Sequence, residues 1–120
     1  MQPRSGRWER DVRRPEKQQA IRVLVAEDEA LLRNALAQLL GEVAGGLISV
    51  VGTCATREQL LRLSRTQHPD IILLDLRMPD REGGPCTLSG AEAVAALRRL
   101  QAEVGIVCLS AHGEPGIVRN

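Results

Sequence analysis

These 120 residues predict an α/β fold, a parallel sheet doubly wound with helices on both faces, on three observations. Short runs rich in Ile, Val and Leu alternate with longer stretches whose apolar residues recur at helical spacing. Glycine, proline and capping residues punctuate the alternation. Acidic residues directly follow the first and third apolar runs, and in open parallel sheets ligands bind at the carboxyl ends of strands.

The elements follow in order. Residues 1–20 hold few apolar side chains, two prolines, six basic residues and three acidic ones, and read as a disordered arm. The acids interrupt its positive charge, which argues against a nucleic-acid or lipid-binding arm. Residues 21–120 then form one domain. Ile21–Ala26 is predicted as a strand and Ala30–Leu40 as a helix, with Leu32, Leu36, Leu39 and Leu40 on one face. Gly41, Gly45 and Gly46 are expected to end that helix before a strand at Leu47–Val51. Thr56 with Gln59 reads as a capping box opening a short helix through Leu60, Leu61 and Leu63, which His68-Pro69-Asp70 stops. Ile71–Leu74 is the third strand. Ser89 with Glu92 reads as a second capping box, ahead of Val94, Leu97 and Leu100 on a third helix, and Gly105–Leu109 is the fourth strand.

Composition narrows the function. Hydrophobic residues are 43%, ordinary for a globular domain, but Phe and Tyr are absent and Trp8 is the only aromatic, so the core must be aliphatic. A net charge of +1 with no basic stripe gives no nucleic-acid surface. Cys54, Cys86 and Cys108 are odd in number and form no CxxC, which fits reduced, structural thiols in a cytoplasmic protein. No apolar stretch approaches the ~20 residues of a membrane span, and the N-terminus has no apolar signal segment. His68 belongs to a helix stop, and His112 on a loop reads as solvent-facing.

The chemistry is concentrated in acids. Asp75 closes the apolar run Ile71-Ile72-Leu73-Leu74, where a carboxylate has no packing purpose and is costly unless something compensates its charge. Glu27-Asp28-Glu29 closes the first strand. Parallel strands ending in acids bring those acids together at one sheet edge. Glu27, Asp28 and Asp75 then supply hard oxygen ligands of the kind Mg²⁺ takes, alongside phosphate oxygens and water. An Asp in that setting can attack phosphorus and form an acyl phosphate. Ser110, after the fourth strand, can bond a phosphoryl oxygen, and the small Ala111 leaves it room.

Three stretches carry a family resemblance: Val23-Leu24-Val25-Ala26-Glu27-Asp28-Glu29, Asp70-Ile71-Ile72-Leu73-Leu74-Asp75-Leu76-Arg77-Met78-Pro79, and Ile106-Val107-Cys108-Leu109-Ser110-Ala111. The chain resembles the receiver domains of two-component response regulators, with their flavodoxin-like, CheY-like fold, over residues 21 to about 112. The resemblance implies that Asp75 is the phospho-accepting aspartate. It implies that Glu27 and Asp28 bind Mg²⁺, that Arg77 lends its backbone carbonyl to the metal, and that Ser110 is the switch hydroxyl. It also implies a sensor histidine kinase as phosphodonor, with no DNA or membrane contact from this chain, and a phosphoryl acceptor rather than an enzyme.

Two departures qualify the match. Receiver domains place a Lys after a fifth strand, yet the only lysine here is Lys17 in the arm. No fifth strand or last two helices follow before Asn120, so the sequence reads as a C-terminally truncated receiver whose fourth strand is an open edge prone to self-association. The segment 84–90 looks like about seven extra residues beside the phosphorylation site. The missing lysine keeps an alternative open: a degenerate receiver acting as a protein–protein interaction module. A phosphohydrolase of the aspartyl-phosphate kind ranks last, because Arg77 stands where such enzymes place a second Asp.

Overall fold

The structure, a computed structural model, describes residues 20–43 and 45–109. Its elements are β1 (Ile21–Ala26), α1 (Ala30–Val43), β2 (Ile48–Cys54), α2 (Arg57–Gln67), β3 (Ile71–Asp75), β4 (Met78–Pro79), β5 (Cys86–Thr87), α3 (Ser89–Leu100) and β6 (Gly105–Leu109). The main sheet is parallel with strand order β2-β1-β3-β6, and β4 and β5 form a separate antiparallel pair. The expected doubly wound parallel sheet is therefore present. Order reverses at β1, which lies between β2 and β3, and this switch point is where a doubly wound sheet opens a crevice.

Pleating sorts the strand residues onto two faces. Leu24 and Ala26 of β1, Ile72 and Leu74 of β3, and Cys54 of β2 join Leu60 of α2, Ala93 and Leu97 of α3, Met78 and Val104 in one buried cluster. That core is aliphatic with two sulfur atoms, as the composition requires. Val23 and Val25 are buried on the opposite face, where α1 packs against β1 and β2. No residue of α1 is fully buried, and Leu39, expected on its core face, is 57% exposed. β6 is an edge strand: among the described residues nothing pairs with its outer side, and Val107 is half exposed.

Local physics accounts for the boundaries. Thr56 caps α2 as expected, its Oγ1 accepting the Gln59 amide at 3.1 Å, while Gln59 Oε1 accepts the Ala55 amide at 2.9 Å. His68 ends α2 in the left-handed conformation, φ 49°. Three expectations are corrected. Gly41 does not stop α1: its helical position is unobstructed, a mid-helix glycine costs only about 1 kcal/mol, and the turn comes at Gly45 and Gly46, whose φ are 55° and 91°. Ser89 and Glu92 form no capping box. Ser89 is already helical and shares a 3.0 Å hydroxyl contact with Thr87, while Glu92 pairs with Arg57 at 2.7 Å. The segment 84–90 is not simply an inserted loop, since Cys86 and Thr87 pair with Pro79 and Met78, and Ser89 and Gly90 begin α3. Residues 1–19 of the N-terminal arm and the tail after Leu109 lie outside the described residues.

Candidate functional site

β1 and β3 are neighbours in register, with Ala26 beside Leu74, so the residues that follow them emerge side by side at the carboxyl edge. Glu27, Asp28 and Asp75 meet there, each offering a carboxylate oxygen within 4.8 Å of the others. The convergence expected from two acidic strand ends is realised.

The two buried acids, Glu27 and Asp75, are each held by a backbone amide. The Glu27 amide donates to the Cys54 carbonyl at 2.9 Å, extending the β1–β2 ladder past the strand end. Its side chain turns inward, is 2% exposed, and accepts the Glu29 amide on Oε2 at 3.1 Å. Arg33, one turn into α1, donates from one guanidinium nitrogen to the Glu27 carbonyl at 2.9 Å and reaches the Asp28 carbonyl at 3.4 Å, bracing the turn that presents both acids. Asp75 is fully buried and accepts the Arg77 amide on Oδ1 at 3.0 Å. Arg77, two residues on, has its side chain exposed and its amide tied to the acid. Met78 follows into the core and pins this turn.

Asp28 opens towards solvent. It could have served only as a helix cap, yet its carboxylate caps no amide; its one hydrogen bond among the described residues comes from the Cys86 thiol at 3.8 Å. Cys86 is exposed rather than a packed structural thiol, whereas Cys54 is buried and its thiol is pushed up to about 12 by that burial. Cys108, expected in the core, is half-buried. Ser110, His112 and Lys17 lie outside the described residues.

Burial dominates the electrostatics. It raises the Glu27 carboxyl to about 7, aided by the Asp75 and Asp28 charges and opposed by the Glu29 amide. Asp75 is raised too, first by burial, with Asp28 adding to it and the Arg77 amide opposing. Glu27 Oε1 and Asp75 Oδ2 are buried without a hydrogen-bond partner. Buried polar atoms are rarely left unpaired, and two such oxygens aimed into one acidic pocket point to a missing cation or donor. At 4.8 Å, two unit charges repel by about 3.5 kcal/mol at an effective dielectric near 20. The donors are hard oxygens only from the acids, the set Mg²⁺ takes, and an octahedral shell of about 2.1 Å bonds spans about 4.2 Å, so these oxygens reach it after a small closure or through a bound water. Glu27, Asp28 and Asp75 fit such an ion.

Two features escaped sequence reasoning. The β4–β5 hairpin was hidden because its strands are only two residues long, and it places Cys86 over the site. Gly90 lets α3 approach the acceptor's backbone: a Cβ there would collide with the Asp75 carbonyl and lie 2.9 Å from Leu76 Cα. A glycine one residue inside a helix, where it has no helical use, was the available signal.

Comparison with known proteins agrees with this fold. The family described as response regulator receiver domain matches residues 23–120. A probable transcriptional regulatory protein NarL of Mycobacterium tuberculosis is 35% identical over 104 residues, covering 87% of this chain and 43% of that protein. The response regulator GacA of Pseudomonas aeruginosa is 32% identical over 90 residues, covering 75% of this chain and 38% of its own length. The chain thus spans less than half the length of these relatives. The solved receiver domain of the M. tuberculosis NarL response regulator superposes with a TM-score of 0.66 at 33% identity, covering 84% of this chain and 74% of that one.

Proposed function

Because the chain belongs to the response regulator receiver domain family, we propose that it accepts a phosphoryl group on Asp75 within a two-component phosphorelay. The observation that carries the reading is the pair of orphaned, buried oxygens, Glu27 Oε1 and Asp75 Oδ2, in a pocket of three acids. A module that merely docks a partner has no use for such a costly arrangement, so the interaction-module alternative is not favoured.

The donor is a phosphohistidine on a sensor histidine kinase. Asp75 Oδ2 forms a bond to phosphorus, the phosphorus–nitrogen bond breaks, and the imidazole keeps the electron pair. Glu27, Asp28 and the Arg77 carbonyl, together with Asp75, would hold Mg²⁺, which would supply charge neutralisation for the carboxylates and the incoming phosphoryl oxygens. The Arg77 amide fixes Asp75 through Oδ1 and leaves Oδ2 free to react. Ser110 is the switch hydroxyl that bonds the phosphoryl group. The chain acts as a cytoplasmic phosphoryl acceptor and not as a turnover enzyme, with no DNA or membrane contact of its own; no described helix is long and apolar enough to cross a membrane.

Incubation with acetyl phosphate and Mg²⁺, followed by intact mass measurement, tests this. One phosphoryl adduct that vanishes with chelator and in Asp75→Asn is expected. No adduct on the wild type, while Mg²⁺ is present, overturns the reading.

A further inference from the structure

The only lysine of the chain, Lys17, lies outside the described residues, so every strong cation described at the pocket is an arginine. Arg33 already engages the Glu27 and Asp28 carbonyls, and Arg57 pairs with Glu92. Arg77 differs from both. Its amide donates to Asp75 Oδ1 at 3.0 Å, so its side chain starts beside the acceptor carboxylate. Leu76 before it is half-buried and Met78 after it is buried, while the Arg77 side chain is exposed and forms no ion pair or hydrogen bond among the described residues. Its charge is felt at the mouth of the pocket. It opposes the rise that burial and Asp28 impose on the Cys86 thiol, and acts there more strongly than the Asp75 carboxylate does. Cys86 Sγ lies 3.8 Å from Asp28 Oδ2, which puts the guanidinium on the open, Asp28 side of the acids.

A phosphoryl group entering this pocket brings charge that a dication alone does not offset. Glu27 and Asp28, once ionised, balance a dication between them, and a phosphoryl group adds about two negative charges of its own at neutral pH. An arginine fork fits phosphate oxygens bidentately and stays protonated at any working pH. Exposed arginines without a partner are ordinary on a protein surface. What singles out Arg77 is its attachment, through its own amide, to the carboxylate that would carry the phosphorus.

We infer that the Arg77 guanidinium is a catalytic residue that binds the oxygens of the phosphoryl group transferred to Asp75. The inference rests on the reading of Asp75 as phospho-acceptor, and it gives the Arg77 side chain a task separate from that of its carbonyl. With acetyl phosphate as donor, Asp75 Oδ2 bonds to phosphorus, the bond from phosphorus to the acetyl oxygen breaks, and acetate leaves with the electron pair. Arg77 moves no proton in this step. It attracts the anionic donor and neutralises the phosphoryl oxygens in the transition state. The same positive charge repels a dication, so Arg77 acts on the phosphodonor and on Mg²⁺ with opposite sign.

The test compares the full chain with Arg77→Gln and Arg77→Lys, both of which keep the backbone carbonyl. Labelling by acetyl phosphate is followed by intact mass at saturating Mg²⁺, and Mg²⁺ affinity by calorimetry without donor. Arg77→Gln should label roughly tenfold or more slowly at low donor concentration, with Arg77→Lys between it and the wild type. Mg²⁺ should bind Arg77→Gln as tightly as the wild type or more tightly, and the melts in chelator should coincide. Added salt should slow labelling of the wild type more than that of Arg77→Gln. Equal labelling of the wild type and Arg77→Gln, or a loss matched by weaker Mg²⁺ binding, overturns the inference. If none of the three proteins is labelled while Mg²⁺ binds, the reading of Asp75 as acceptor fails and takes this inference with it.

Discussion

Replacing Asp75 by Asn should stabilise the metal-free protein at pH 8. Asp75 is fully buried, its Oδ2 has no partner, and the Glu27 and Asp28 oxygens lie within 4.8 Å. At separations of 4.8 Å or less, each ionised neighbour costs at least about 3.5 kcal/mol at an effective dielectric near 20. Protonation caps that cost, because burial already raises Glu27 to about 7 and raises Asp75, so the pocket sheds charge by holding protons. The amide removes one desolvated charge, keeps an oxygen to accept the Arg77 amide, and brings donors towards the orphaned Glu27 Oε1. A net gain in stability follows, read as a rise in Tm. Thermal melts in chelator at pH 8 and pH 5 measure it. The gain should shrink as pH falls, because Glu27, raised to about 7, and Asp75, raised by burial, take up protons in the native wild type. An Asn variant that melts at or below the wild type at pH 8 refutes the reasoning, since it would mean that Asp75 is a satisfied structural acid.

Other expectations follow from the same geometry. Glu27 and Asp75 have folded pKa values above their unfolded ones, so the native state binds more protons and metal-free stability falls as pH rises; for Glu27 the window runs from about 4.5 to about 7 and the loss is about 3 kcal/mol, measurable by urea unfolding across that range in chelator. Mg²⁺ should reverse this trend and release protons on binding near pH 7, read by titration calorimetry in buffers of differing ionisation enthalpy. Gly90→Ala should cost at least 2 kcal/mol, because its methyl meets the Asp75 carbonyl and forces α3 off β3; a melt unchanged from wild type would contradict the close approach. The side of β6 that no described residue covers, with Val107 half exposed, should give concentration-dependent association in sedimentation velocity, and a strictly monomeric chain would contradict it.

The sheet and the acid site were legible because their signals are local and strong. Four apolar runs of strand length can hardly be anything else in this alternation, and an acid at the end of Ile71–Leu74 has no competing structural reading once Glu27 and Asp28 follow a parallel neighbour. What misled was anything decided by tertiary contact. Gly41 reads as a helix stop in sequence, but a lone glycine costs less than the hydrogen bonds of another helical turn. Glu92 has the spacing to cap α3, but Arg57, 35 positions earlier, offers a charge at 2.7 Å. Leu39 fits the apolar stripe of α1, yet the structure leaves it exposed. The place of Cys86 beside Asp28 carried no signal, because a hairpin brings the two together from 58 residues apart.

The most direct measurement locates the phosphoryl group. Trapping the labelled protein with borohydride and mapping its peptides should place a single modification at Asp75, formed with Mg²⁺ and absent in chelator. Label on Glu27, Asp28 or a hydroxyl, or labelling indifferent to the cation, would contradict the assignment of this pocket.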